Sequence, residues 1–221
     1  LPATVVTTTG TQTLTNKSIV ASQLTGTITP SDSTVSIAKL TATGTKDATT
    51  FLRGDNTFDV PPLGGITEAD QWRLTTNFTN SGSNFITSNW ERNDNPGYAK
   101  LGTGLSESSG VFSFATTGLY YVTFMIWFTR NGNSRYNYAQ IHQTQDNSSY
   151  DYIAMSAAAI VDNSAVNHMS TVCSTYFNVT NVSTQKLKFL CNSESEISIL
   201  SLGSGQSNSP CATFIRLGDA Q

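Results

Sequence analysis

From Ile66 to the end of the chain, short apolar runs alternate with clusters of turn-forming residues. The runs fall at 72–78, 111–114, 119–129, 136–143, 152–161, 168–179, 185–191, 196–202 and 212–217. They are rich in β-branched and aromatic side chains, which favour the pleated backbone. Ser81-Gly82, Asn95-Pro96-Gly97, Asn131-Gly132-Asn133 and Asp162-Asn163-Ser164 punctuate them. Short strands at this spacing predict an all-β sandwich or barrel. The run 154–161 tolerates a helix but has no caps, so it is expected to be a buried strand of small residues. The run 119–128 is apolar at alternate positions of both parities. A strand apolar on both faces is buried on both. Either one crowded core receives all of Tyr121, Phe124, Trp127 and Phe128, or a second copy of the chain covers one face.

The first 50 residues follow another pattern. Sixteen of them are Thr, and none is Trp, Tyr, Cys, Met or Phe. Too few large side chains are present to offset the entropy of ordering a core. Two options remain: a loose linker, or an extended stalk in which several chains share a thin apolar seam. Thr and Val favour extended backbone. The run 60–65 (VPPLGG) joins paired prolines to paired glycines and reads as a hinge. The expected organisation is a stalk or linker over 1–62 and a β domain over 66–221.

Charge and reactive side chains narrow the function. Only 12% of residues are charged, with a net charge of −3, and the twelve basic residues are scattered. A nucleic-acid groove would cluster them. No apolar run reaches the length of a membrane helix. Cys173, Cys191 and Cys211 lack CxxC spacing and are expected to be reduced and buried, with a Cys173–Cys191 bridge as the alternative. His142 and His168 stand outside zinc-binding spacing. Glu91, Asn93, Asp94 and Asn95 are oxygen-rich without the spacing of a calcium loop. Glu194 and Glu196 share one strand face and are expected to be solvated. Neither a nucleophile elbow nor a phosphate loop is found. The expectation is a non-enzyme with no cofactor and no metal. The sequons at Asn77, Asn147, Asn178 and Asn181 follow from composition, and Arg53-Gly54-Asp55 reads as a tight turn between Phe51 and Phe58.

Two runs, residues 9–19 (TGTQTLTNKSI) and 41–58 (TATGTKDATTFLRGDNTF), resemble the stalk repeats of bacteriophage tail fibres and related virion appendages. Residues 110–124 resemble the signature of the C1q/TNF-like jelly roll, with Gly110, Phe112, Gly118, Tyr120 and Phe124 at its marked positions. Residues 211–217 are similar to that family's closing strand, from which Arg216 and Leu217 depart. These resemblances imply a homotrimeric jelly-roll tip on an intertwined stalk, in the tail or head fibre of a virion. The chain would be the distal part of a longer protein that meets other virion proteins through its missing N-terminal part. The implied trimer interface includes Tyr120, Tyr121, Phe124, Trp127 and Phe128. The implied receptor surface, for a host-cell glycan or protein, lies on loops 130–138 and 143–152 with Arg135, Tyr136, Tyr138, Tyr150 and Tyr152. The alternative is a structural or decoration fibre that binds no receptor.

Overall fold

The computed structural model describes residues 41–61, 65–201 and 208–221. The chain divides into two compact units, Leu1–Leu63 and Gly64–Gln221. The Thr-Gly repeats before residue 41 lie outside the described residues.

In the first unit, strands β1 (Phe51–Leu52) and β2 (Phe58–Asp59) pair antiparallel. The turn between them is closed locally. Asn56 takes a left-handed conformation (φ 63°). The Asp55 carboxylate accepts bonds from the Thr57 amide at 3.1 Å and hydroxyl at 2.6 Å. Arg53 reaches back to Asp59 at 3.0 Å. Thr43 bridges to Thr57. A Cβ at Gly44 would lie 2.1 Å from the Phe58 carbonyl oxygen, so only glycine lets the chain cross there. The Arg-Gly-Asp tripeptide is thus a braced turn, as its flanking residues predict. Phe51 and Leu52 remain exposed.

The second unit is an all-β jelly-roll sandwich. Its strands are β3 (Ala69–Leu74), β4 (Phe78–Phe85), β5 (Trp90–Arg92), β6 (Ser106–Ser108), β7 (Val111–Ser113), β8 (Gly118–Asn131), β9 (Ser134–Thr144), β10 (Asp151–Ile160), β11 (Val166–Val179), β12 (Lys186–Ile199) and β13 (Cys211–Gly218). The first sheet runs β5-β3-β13-β8-β11. In the second, β12 pairs with β4 and β7 on one side and with β9, then β10, on the other. All these pairings are antiparallel. The chain passes repeatedly between sheets, and the end of β12 stitches them by pairing Ser198 and Ile199 with Thr129 and Phe128 of β8.

The period-2 pattern of β8 decides what fills the core. Tyr120, Val122, Phe124, Ile126 and Phe128 are buried between the sheets, while Leu119, Tyr121, Thr123, Met125 and Trp127 are half-buried on the outer face. Phe112 lies at the centre, its ring centroid 5.6 Å from Trp72, 5.1 Å from Trp90, 5.1 Å from Phe189 and 5.4 Å from Phe214. Gly110 precedes it at φ 78°, and a Cβ there would meet the Ile86 carbonyl oxygen at 2.3 Å. Gly110→Ala is expected to destabilise the domain by about 1–3 kcal/mol, the usual cost of a non-glycine forced into such backbone. Urea unfolding beside wild type measures it, and an unchanged midpoint would contradict the steric argument.

Two sequence expectations change, and the one for the cysteines holds. The segments 185–191 and 196–202 are expected as separate strands, but β12 runs unbroken through Ser193-Glu194-Ser195. Ser193 pairs with Gly82 of β4 and Asn137 of β9, and the ladder to β4 resumes at Ile197 after a bulge, so pairing on either side carries the strand through its polar stretch. Residues 154–161 are not a buried strand. Residues 154–160 belong to β10, at a sheet edge, where Met155 and Ala157 are exposed and Ile160 is buried, and Val161 follows the strand, exposed. The cysteines are reduced and buried as expected, and the alternative Cys173–Cys191 bridge is not formed. All three thiols are free and buried, and burial pushes Cys173 and Cys191 up to about 12 and Cys211 up to about 11. Such thiols are unreactive in the folded chain.

Candidate functional site

The sandwich offers two outer faces of different chemistry. On the first sheet, cross-strand register assembles apolar rows. Tyr176 of β11 stands opposite Tyr121 of β8, with ring centroids 5.5 Å apart, and Tyr121 stands opposite Ile215 of β13. Two rows along, past the polar row Ser174, Thr123 and Thr213, Val172, Met125 and Cys211 are aligned in the same way. Trp127 continues the face and meets His168 edge-on at 5.8 Å. Tyr176 is 66% and Val172 53% exposed, although both sit mid-strand.

Of the five expected interface residues, only Tyr121 and Trp127 lie on this face. Tyr120, Phe124 and Phe128 are corrected to core positions. Each is at most 2% exposed within one chain, so it has no surface left to offer a second. The Tyr120 hydroxyl also lies 2.9 Å from that of Thr116. The apolar side chains on both faces of β8 therefore have different destinations: one set fills the core and the other lines the outer face. Val172, Tyr176 and Ile215 were missed because each lies in an apolar run whose outward side chains the sequence does not mark. Strand pairing alone brings them beside Tyr121 and Met125.

The second sheet's outer face is aromatic and polar. Tyr136, Tyr138, Gln140 and His142 alternate along β9 on this side. Tyr136 and Tyr138 have ring centroids 5.2 Å apart. His142 is the hub of a further cluster, 5.0 Å from Phe85 of β4 and 6.2 Å from Tyr152 of β10. Its Nε2 lies 2.8 Å from Oε1 of Gln140. Burial holds the His142 pKa below its ordinary value, which keeps the ring neutral at pH 7. The Lys188 ammonium sits 4.1 Å from the Tyr150 ring centroid and 5.3 Å from that of Phe85. The segment after β9 is fixed by Asp146, whose carboxylate accepts from the Ser148 and Ser149 amides, both at 2.9 Å. These bonds hold the Asp146 pKa well below the ordinary carboxylate range.

The structure brings Tyr136, Tyr138, Tyr150 and Tyr152 to one sheet face, but not through two loops. Residues 134–144 are β9, so Tyr136 and Tyr138 are strand residues, and Tyr152 lies in β10. Among these four, Tyr150 alone is in a loop. Arg135 stands apart from them at the end of the sandwich, where its backbone amide donates to Glu194 at 2.6 Å and its guanidinium pairs with the same carboxylate. Sequence reasoning missed Phe85, His142 and Lys188 as neighbours of these tyrosines.

The remaining polar candidates have structural work. Glu91 and Asp94 both turn to Arg73, at 2.9 and 2.7 Å, and Asn95 accepts from the same guanidinium at 2.8 Å. Those oxygens hold a buried cation of the protein itself. Asp70 is fully enclosed, pairs with Arg92 at 3.0 Å and accepts from the Leu105 amide at 2.8 Å. Glu194 is occupied by Arg135, which lowers its pKa mainly through the backbone bond. Among the described residues no group of three His, Cys, Asp or Glu side chains is placed to hold a metal ion.

No protein-family profile matches the chain, and no curated protein matches it either. Solved structures similar to it include the Eiger TNF of S. frugiperda, 14% identical with a TM-score of 0.49, the match covering 69% of this chain and 94% of that one. Murine APRIL at pH 5.0 is 10% identical with a TM-score of 0.46, over 68% of this chain and 98% of its own. The strand order and register described above define the class by themselves: an all-β jelly-roll sandwich.

Proposed function

We propose that the chain is the distal part of a phage fibre, whose jelly-roll tip associates as a homotrimer and binds a receptor on the host-cell surface. The observation that carries this reading is the unlikeness of the two outer faces. Exposed mid-strand aromatic and aliphatic side chains on the first sheet suit burial against further copies of the chain. Rings with amide and ammonium groups on the second sheet suit recognition of a ligand. The fibre-like runs 9–19 and 41–58 support the attachment to a virion, and the exposed Phe51 and Leu52 suit a stalk whose apolar groups are covered by neighbouring chains. Several weak sites per fibre, and several fibres per particle, would multiply into firm adsorption.

Labelled chain incubated with a panel of bacterial strains tests this. Wild type is expected to sediment with the cells of its host. Tyr138→Ala and Tyr152→Ala are each expected to lower the bound fraction several-fold while circular dichroism is unchanged. Adsorption that is indifferent to both substitutions places the receptor surface elsewhere. A tip that adsorbs to no strain infected by its phage favours the structural fibre instead.

A further inference from the structure

We propose that the outer face of the second sheet binds an acidic saccharide, with the sugar carboxylate on Lys188 and the pyranose ring against Tyr152. This rests on the receptor-binding reading above and names the chemistry of its ligand. Register lays the face out as a grid. His142 of β9 stands between Lys188 of β12 and Tyr152 of β10, and Gln140 stands between Leu190 and Met155. The outward side chains of β12 include Lys186 and Lys188, whereas the outward positions along β9 are Tyr136, Tyr138, Gln140 and His142. These strand positions bring two cations to one surface of a chain whose net charge is −3, and the carboxylate that follows at the same parity, Glu194, is paired with Arg135.

The two lysines differ in what they are free to do. Lys186 donates to the Val182 carbonyl at 2.7 Å. Lys188 rests on the Tyr150 and Phe85 rings, and no carboxylate lies within ion-pair distance of it among the described residues. Ring faces fix an ammonium in position without neutralising it. The nearby acids do not compete for it. Asp146 accepts from two of its own loop amides and the Thr144 hydroxyl, all through Oδ1, and forms no ion pair with Lys188. Asp151 pairs in register with Gln143, one residue out of step with the outward His142 and Tyr152; its charge acts on His142, and it makes no ion pair with Lys188.

Tyr152 supplies the other half of the site. It is 61% exposed, so its ring is available for stacking, unlike Tyr150 beneath the ammonium. Gln140 and Asn192 add amide donors and acceptors for hydroxyl groups on the same face. From Tyr138 to His142 the face extends about 13 Å, at the strand rise of about 3.3 Å per residue. A flat, ring-studded surface with a fixed cation matches a polysaccharide bearing uronic acids better than a neutral glycan, which would leave the charge unanswered.

Calorimetric titration of the full chain with tri-galacturonic acid, and with its carboxyl-reduced neutral counterpart, tests the proposal. The acidic sugar is expected to bind at least about ten-fold more tightly than the neutral one, the value of one charge-assisted contact. Lys188→Met keeps the stem over the rings and is expected to abolish that difference while leaving neutral-sugar binding unchanged. Tyr152→Ala is expected to weaken both. Equal affinity for the two sugars, or an acidic preference that survives Lys188→Met, overturns the proposal. So does wild-type chain that adsorbs to host cells after periodate treatment but not after protease, which identifies a protein receptor and leaves the adsorption reading intact. Sugar binding with these properties in a chain that adsorbs to no host would uphold this site and sink the fibre-tip function.

Discussion

In light scattering the chain is expected to run at three times its 23.8 kDa mass, and Val172→Glu with Tyr176→Glu is expected to return it to the monomer. Both side chains are more than half exposed in the single chain, so their replacement leaves no cavity and buries no charge within the protomer. Against a second copy, each carboxylate would lose its water without gaining a partner, at a cost of several kcal/mol per ion. A symmetric trimer repeats the two substitutions in every chain and places like charges near one another. Association held by apolar burial does not withstand that. Circular dichroism should be unchanged, because the altered residues stand on the outer face while the core side of β11 keeps Cys173 and Phe177. Wild-type chain that is monomeric at micromolar concentration would remove the trimer and the use assigned to the first sheet's face.

Phe112→Ala is expected to destabilise the domain by about 3–5 kcal/mol. The ring is fully buried and makes edge-on or tilted contacts with Trp72, Trp90, Phe189 and Phe214, which come from β3, β5, β12 and β13. Its removal opens a cavity shared by both sheets, and four large, mutually packed rings cannot all move to fill it. Against a typical domain stability of about 5–15 kcal/mol, the loss is a large share. The measurement belongs in the Val172→Glu, Tyr176→Glu background, where unfolding is not coupled to association. Leu101→Ala is the control. That side chain is largely exposed, and its loss is expected to change stability by about 0.5 kcal/mol or less. Equal effects of the two substitutions would mean that Phe112 is not the centre of the core.

The β character of the chain was legible because it is a local property. The β-branched and aromatic run 119–128 marks a strand wherever it ends up, and β8 spans it without a break, although being apolar at both parities it does not say which face is buried. Gly110, Phe112, Gly118, Tyr120 and Phe124 were legible as a set through the resemblance to the C1q/TNF-like signature, although Tyr120 and Phe124 were expected at an interface and lie in the core. Each meets a demand of backbone or core that any sandwich of this type imposes. The Arg53-Gly54-Asp55 turn closes through Thr57, Asp59 and Asn56, all within a few residues, so the sequence contained its explanation.

What a side chain faces across the sheet was not legible. Nothing local distinguishes Phe124, which enters the core, from Trp127, which does not, until the direction of one β8 residue is fixed by its neighbours. Lys188 meets Phe85 and Tyr150, and Val172 meets Met125, only after strands distant in sequence have paired in one register. The oxygen-rich segment 91–95 lacks the spacing of a calcium loop in the sequence, and only the fold shows what its oxygens serve: they hold Arg73 of the neighbouring strand. By itself the sequence determined the period of burial and the backbone of its turns, because both depend on near neighbours. The tertiary structure decided which rings share a surface, because strand register is set by the packing of the whole core, and a shift of one residue would send every outward side chain inward.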